Sequence, residues 1–261
     1  MLIERPDGAR LAVTVTGEGP PLLLLSGLGG TARFWQGLLP EMARSHRVAV
    51  MDQRGVGAST RGTAPVTIGT LAADAAAVAL ALGGRVALCG HSTGAAIVLT
   101  MAAEGLCPVS HLALSAGWLR PDDYLKSLFE TRLAVLERAG FGAYEVVGRF
   151  LGYPPEWLVT EGRFPAPEWL PPEREAAERA RWSERIGALL GFDGTNLPPH
   201  VAVPSLVLGT PDDVIVPHHH QSAMAAAIPG AVFEPLPDGG HFYPQTRPTA
   251  FLARLLPFLA G

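Results

Sequence analysis

Gly90-His91-Ser92-Thr93-Gly94 sets a serine between two glycines, after the apolar run Arg85 to Cys89 and before the small-residue run Ala95 to Ala103. A serine on a sharp turn between a buried strand and a helix is presented for attack on a carbonyl carbon. So tight a turn strains the backbone of its central residue. Side chains two places before and after it would collide, which calls for glycine at 90 and 94. The helix that follows points its free N–H groups back at the turn, where they favour negative charge. Ser92 is therefore a candidate nucleophile and the Thr93 amide a candidate oxyanion donor. A bare G-x-S-x-G also arises by chance in a chain with 30 glycines; the strand before and the helix after give it meaning.

A serine alone is a weak nucleophile. It needs a base to take its proton and an acid to orient that base. His241 follows Gly239-Gly240 on a loop, and Asp212 and Asp213 follow the apolar run Ser205 to Leu208. His91 borders Ser92 and is expected to pack beside it. His218, His219 and His220 open a helix and are expected to form a solvated surface. A metal site needs ligands fixed by other elements as well, and neither a metal nor a cofactor is expected. The glycine-rich turn from Asp52 to Ser59 lacks G-x-G-x-x-G spacing and opens no helix, so nucleotide binding is not expected.

The elements that must hold these residues alternate. Strands are expected at 10–16, 22–25, 47–51, 85–89 and 109–115, and helices at 34–42, 67–82 and 95–104. Trp35, Leu38, Leu39 and Met42 share one face of the first helix. Ser26 to Gly30 forms a loop at the carboxyl end of a strand, where ligand sites of parallel sheets lie. This is an α/β pattern, a mostly parallel sheet with helices on both faces. From Trp118 to His200 the alternation stops. Pro121 to Ala139 reads as a helix with Tyr124, Leu125, Leu128 and Phe129 on one face, continued by Arg132, Leu136 and Ala139. A shorter helix spans Gly142 to Phe150, and proline-rich connectors follow (Pro154-Pro155, Pro165, Pro167, Pro171-Pro172). Glu173 to Leu190 is a charged helix with Trp182, Ile186, Leu189 and Leu190 as its apolar set. Residues 118–200 are thus read as a helical cap inserted between core segments 1–117 and 201–261. The sheet resumes at 205–208, with a helix from His218 to Ala227, a strand at 232–236 and a last helix from Pro248 to Leu259.

Composition narrows the choices. A length of 261 residues with 48% hydrophobic content suits one large domain with an insertion. A net charge of −4 gives no basic footprint, so nucleic acid is not an expected partner. No apolar core of a signal peptide opens the chain and no stretch has the length of a membrane span. A cytoplasmic protein without a membrane partner, monomer or homodimer, is expected. Two cysteines give no disulfide framework, and Cys89 is expected to be a buried small hydrophobe.

With these residues in hand, the chain resembles the α/β-hydrolase superfamily over its whole length, with the cap after the sixth strand. Within it the chain is most similar to the aminoacrylate or carbamate hydrolases of the Rut pyrimidine-degradation pathway. The resemblance rests on Ser26 to Gly30 with Trp35, Asp52-Gln53-Arg54-Gly55, Gly117-Trp118-Leu119-Arg120, Tyr153-Pro154 with Trp157, and the Asp213 and His241 loops. The first, second and last groups are shared with enol-lactonases and small esterases. The superfamily's chain order of serine, acid, histidine implies a Ser92-Asp213-His241 set. Asp213 is preferred over Asp212 because it stands four residues before Pro217, as in the family's D-x-x-V-P pattern. The resemblance also implies a second oxyanion donor in the loop after the third strand, the amide of Leu28.

Together these readings imply a serine hydrolase of a small ester, amide or carbamate acting through an acyl-enzyme. Trp118 and Trp157 are expected to shape the substrate pocket, and Arg120 to recognise a carboxylate or carbamate. Some Rut-type relatives carry a non-nucleophilic residue where this chain has Ser92, so a complete set here points to ordinary acyl transfer. The alternatives are water activation by His241 without a covalent intermediate, an enol-lactonase or small-ester carboxylesterase activity, and a non-catalytic small-molecule receptor on the same fold.

Overall fold

The computed structural model describes residues 1–161 and 166–261; the connector proline Pro165 lies outside the described residues. Eight strands form one sheet in the order β1-β2-β4-β3-β5-β6-β7-β8. They are β1 (Leu2–Glu4), β2 (Arg10–Thr16), β3 (Pro21–Leu25), β4 (Arg47–Met51), β5 (Val86–His91), β6 (Val109–Ser115), β7 (Ser205–Leu208) and β8 (Val232–Phe233). The β1/β2 and β2/β4 pairs are antiparallel, and the rest of the sheet is parallel.

The alternation of side chains along a strand sorts the core into two layers. Leu23 and Leu25 of β3 join one cluster with α2 (Ile68–Leu82) and α3 (Thr93–Ala103). Leu22 and Leu24 join the other, with α1 (Leu39–Met42) and α9 (Pro248–Ala260). All four leucines are essentially inaccessible, and burying each contributes about 1.5–3 kcal/mol. A strand covered on both faces reads as a continuous apolar run, which is what Leu22 to Leu25 is.

Between β6 and β7 lies the helical insertion: α4 (Asp123–Gly152), α5 (Pro155–Thr160) and α6 (Pro172–Leu190). The Asp122 carboxylate accepts the Leu125 N–H at 2.9 Å and so caps α4. At Gly140 (φ 87°, ψ 173°) α4 breaks, giving the two helices that the sequence spacing predicts. Following β7 come α7 (His218–Ala227) and the one-turn α8 (Tyr243–Thr246).

Several expectations need correction. Residues 34–42 do not form one helix: a 3-10 turn (Ala32–Trp35) precedes α1, with Gly37 and Pro40 interrupting the pattern. Trp35, Leu38 and Met42 are nevertheless buried as expected. The strand expected at 232–236 is only Val232–Phe233, and Pro235 follows at a position whose N–H would face away from β7. The Glu234 and Leu236 N–H groups still donate to Val207 and Gly209. Pro154-Pro155 opens α5 rather than a connector, proline being tolerated in a helix's first turn. Tyr124, placed on the apolar face, is 47% exposed, and its hydroxyl donates to the Val214 carbonyl. Of the three histidines only His219 is exposed; His220 is buried.

Candidate active site

Ser92 stands between β5 and α3 with φ 57° and ψ −120°, a conformation that costs a non-glycine residue about 1–3 kcal/mol. Both glycines are required. A Cβ on Gly90 would come 2.1 Å from the Gly94 carbonyl oxygen, and one on Gly94 2.3 Å from that of Leu25. The Ser92 N–H donates to the Ser115 carbonyl at 2.7 Å, locking the turn onto β6.

Asp213, in the loop after β7, is buried. Its Oδ1 accepts the Ile215 and Val216 N–H groups at 2.8 and 2.9 Å, and its Oδ2 lies 2.8 Å from His241 Nδ1. The main-chain amides fix the carboxylate's orientation. Since a carboxylate accepts, Nδ1 donates and Nε2 is left to act as a base. Asp212 has a different task. Its Oδ2 accepts the Gly239 and Gly240 N–H groups at 3.0 Å each, pinning the turn that carries His241.

His91 is buried, stacks on Phe34 with ring centres 4.8 Å apart, and lies 2.9 Å from the Ser115 hydroxyl through Nδ1. Ser115 in turn bonds the Tyr243 hydroxyl at 2.5 Å. Burial, and then the neighbouring His241, push the His91 pKa well below its ordinary value. A neutral ring therefore packs 4.9 Å from that of His241, with no second positive charge beside the candidate base.

The loop after β3 passes directly over the serine: a Cβ on Gly27 would lie 3.0 Å from Ser92 Cβ and 3.4 Å from Oγ. Among the described residues the Leu28 and Thr93 amides have no hydrogen-bond acceptor. The peptides around Leu28 are held from two sides. Gln53 Nε2 donates to the Ser26 carbonyl at 2.8 Å, and Arg185 Nε donates to the Leu28 carbonyl at 2.5 Å. Arg185 also donates to Gln53 Oε1, closing a relay from α6 to this loop. Burial pushes the Arg185 pKa down to about 10. The insertion grips the His241 loop as well, since the Phe242 N–H donates to the Gly152 carbonyl at 3.0 Å.

Ser92, His241 and Leu28 line one cavity of about 950 Å³ between the sheet and the insertion. Trp157 also lines it, stacked on Tyr153 at 4.5 Å. Trp118 and Arg120 do not. Trp118 is fully buried in the core, edge-on to Phe192, because its large apolar surface is drawn inward where the chain leaves β6. Arg120 is exposed on the outer surface, 3.9 Å from Asp193. Absent from the sequence expectations were Arg185, Gln53 and Arg132 as parts of the site. Both arginines fall on apolar helix stripes, which was the signal available for them: Arg185 between Trp182 and Leu189, Arg132 between Phe129 and Leu136.

Asp122, His219 and His220 bring one ligand atom each to within 4.8 Å of one another, and among the described residues they alone could hold a metal ion. None of them lines the cavity.

The Alpha/beta hydrolase family profile matches residues 22–255. The chain belongs to the α/β-hydrolase family. It is a hydrolase and resembles the RutD group within that family. A protein of Caulobacter sp. (strain K31), provisionally named carbamate hydrolase RutD, is 32% identical over 92% of this chain and 90% of its own length. A hydrolase from Pseudomonas aeruginosa PA01 superposes with a TM-score of 0.85 at 26% identity, covering 100% of this chain and 98% of its own. The enol-lactonase from Burkholderia xenovorans LB400 shares the fold, with a TM-score of 0.83 at 22% identity and 97% of each chain covered. No helix among the described residues is long and apolar enough to cross a membrane.

Proposed function

We propose that this hydrolase cleaves a small ester, amide or carbamate by acyl transfer through Ser92. Ser92 Oγ attacks the carbonyl carbon as His241 Nε2 takes its proton, and Asp213 holds the imidazole and stabilises the imidazolium. The Leu28 and Thr93 amides receive the oxyanion, each donor supplying about 2.7–4 kcal/mol of transition-state stabilisation. His241 then protonates the leaving group and activates the water that releases the acyl group. Residues 118–200 act as a cap, a reading supported by the bonds from Arg185 to Leu28 and from Phe242 to Gly152.

The observation that supports this most is a 2.8 Å Asp213–His241 pair whose histidine lines the same cavity as a serine on a strained turn. Reaction with a fluorophosphonate probe tests it. Wild-type protein is expected to be labelled on Ser92, and Ser92→Ala to be unlabelled and inactive on p-nitrophenyl butyrate. A folded wild type that resists the probe overturns the proposal. That result would favour a second reading, suggested by the RutD resemblance, in which His241 activates water on a carbamate and Ser92 only positions it.

A further inference from the structure

Arg132 sits in the insertion, on α4, and lines the same cavity as Ser92. It is 8% exposed. Among the described residues it makes no hydrogen bond or ion pair, and its buried Nε is without a partner. The other two buried arginines both have protein acceptors: Arg54 is paired with Asp74 and Asp7, and Arg185 donates to the Leu28 carbonyl and Gln53, with only its Nη1 left without a partner. A buried guanidinium normally has an acceptor because desolvating the charge is costly. The rings of Phe129 and Tyr144 lie 5.2 and 4.6 Å from the Arg132 Cζ. They stabilise the cation but accept no conventional hydrogen bond, and Nε stays buried without a partner. Among the described residues on the cavity wall Glu145 is the other partly buried charged group, and no ion pair joins it to Arg132. Burial raises the Glu145 pKa, and the nearby Arg149 and Arg132 charges oppose that rise. The remaining charged side chains among the described lining residues, Arg33, Arg149 and Glu161, are solvent-exposed.

We propose that Arg132 is the anchor for a substrate carboxylate, so that the preferred substrate carries an anionic group apart from its scissile carbonyl. The guanidinium edge offers parallel N–H donors that match a carboxylate's two oxygens. Ser92 stands at the end of a sheet strand and Arg132 on the insertion. A half-ester of a short dicarboxylic acid presents its two ends to those two walls. The role expected of Arg120 thus belongs to a different arginine, and the identification rests on the acyl-transfer reading above.

The test compares kcat/KM for the monomethyl esters of succinate, glutarate and adipate with their dimethyl esters. Wild type is expected to favour at least one monomethyl ester at least tenfold. Arg132→Gln is expected to lose at least tenfold of that ratio, chiefly through KM. Arg132→Lys, which keeps the charge but not the fork, should retain part of it. Arg120→Gln, outside the cavity, should keep the wild-type ratio. No preference at any chain length, or an Arg132→Gln variant that slows both ester classes equally, overturns the proposal. Calorimetric titration of Ser92→Ala protein with the preferred monoester keeps the two claims apart. Binding that weakens at least tenfold on adding Arg132→Gln supports the anchor even if wild type turns nothing over, in which case only the acyl-transfer reading fails. Turnover of neutral esters with no charge preference refutes the anchor alone.

Discussion

Replacing Arg185 with methionine should separate catalysis from stability. The substitution removes two charged hydrogen bonds, to the Leu28 carbonyl and to Gln53 Oε1, each worth about 1.5–3 kcal/mol. It also removes a guanidinium that is only 3% exposed, and releasing a buried charge returns several kcal/mol. These effects largely cancel, leaving a net change within about 2 kcal/mol. For a chain of this size that is a Tm shift of at most about 8 °C. The effect on catalysis does not cancel. The peptide carrying the Leu28 N–H lies between two pinned peptides, one held by Gln53 at Ser26 and one by Arg185 at Leu28. Losing an oxyanion donor outright costs about 2.7–4 kcal/mol. Here the Gln53 tether and the Gly30 N–H bond to the Gly27 carbonyl remain. About half of that loss is expected, roughly ten- to thirtyfold in kcat, with KM little changed. Steady-state turnover of p-nitrophenyl butyrate beside thermal melts reads both. A folded variant whose kcat stays within twofold of wild type, or whose loss lies in KM alone, refutes the reasoning.

Asp213→Asn should lower kcat by about 10⁴, since it leaves His241 in the wrong tautomer. Asp212→Asn, which only loosens the Gly239–Gly240 turn, should cost at most about tenfold; equal losses in the two variants would contradict the division of labour. Gly94→Ala drives a Cβ to 2.3 Å from the Leu25 carbonyl oxygen. Overpacking against a backbone that cannot yield should destabilise by at least about 3 kcal/mol, lowering Tm by about 6 °C or more; an unchanged melt would refute the geometry of the turn. Asp7 accepts the Ala64 N–H and the Arg54 guanidinium, which hold its carboxyl well below the usual carboxylate range. A depressed folded pKa gives stability that is present above the unfolded value and lost as pH falls through the folded one. Wild-type Tm should therefore drop more steeply than that of Asp7→Asn between about pH 5 and pH 3; parallel curves would remove Asp7 from the acid response.

Strands buried on both faces announce themselves as apolar runs, and Leu22 to Leu25 and Val86 to Cys89 were legible for that reason. The elbow was legible because two glycines flank a serine at the one junction where a side chain meets backbone on either side. Helix ends were less so: Pro40 and Gly37 broke a pattern whose apolar spacing still predicted which residues are buried. The cavity wall was the least legible part. A tryptophan in the insertion faces the core or the cavity according to tertiary packing, and neither Trp118 nor Trp157 carries a local mark of which. Arginines followed the opposite logic. Arg120, beside a strand end, looked available and is on the outside. Arg132 and Arg185 interrupt apolar stripes, and a charge on such a stripe is buried with a purpose. The Arg185 contacts span 157 and 132 residues of sequence, to Leu28 and Gln53, a separation that no local pattern reports.

The central claim is a covalent acyl-enzyme on Ser92. Rapid mixing with p-nitrophenyl acetate, acid quench and peptide mass analysis reads it directly. Acetylation confined to Ser92, formed with a burst of p-nitrophenol and absent from Ser92→Ala, is the expected result. Steady turnover by a protein whose Ser92 stays unmodified at every time point, with no burst, would contradict it.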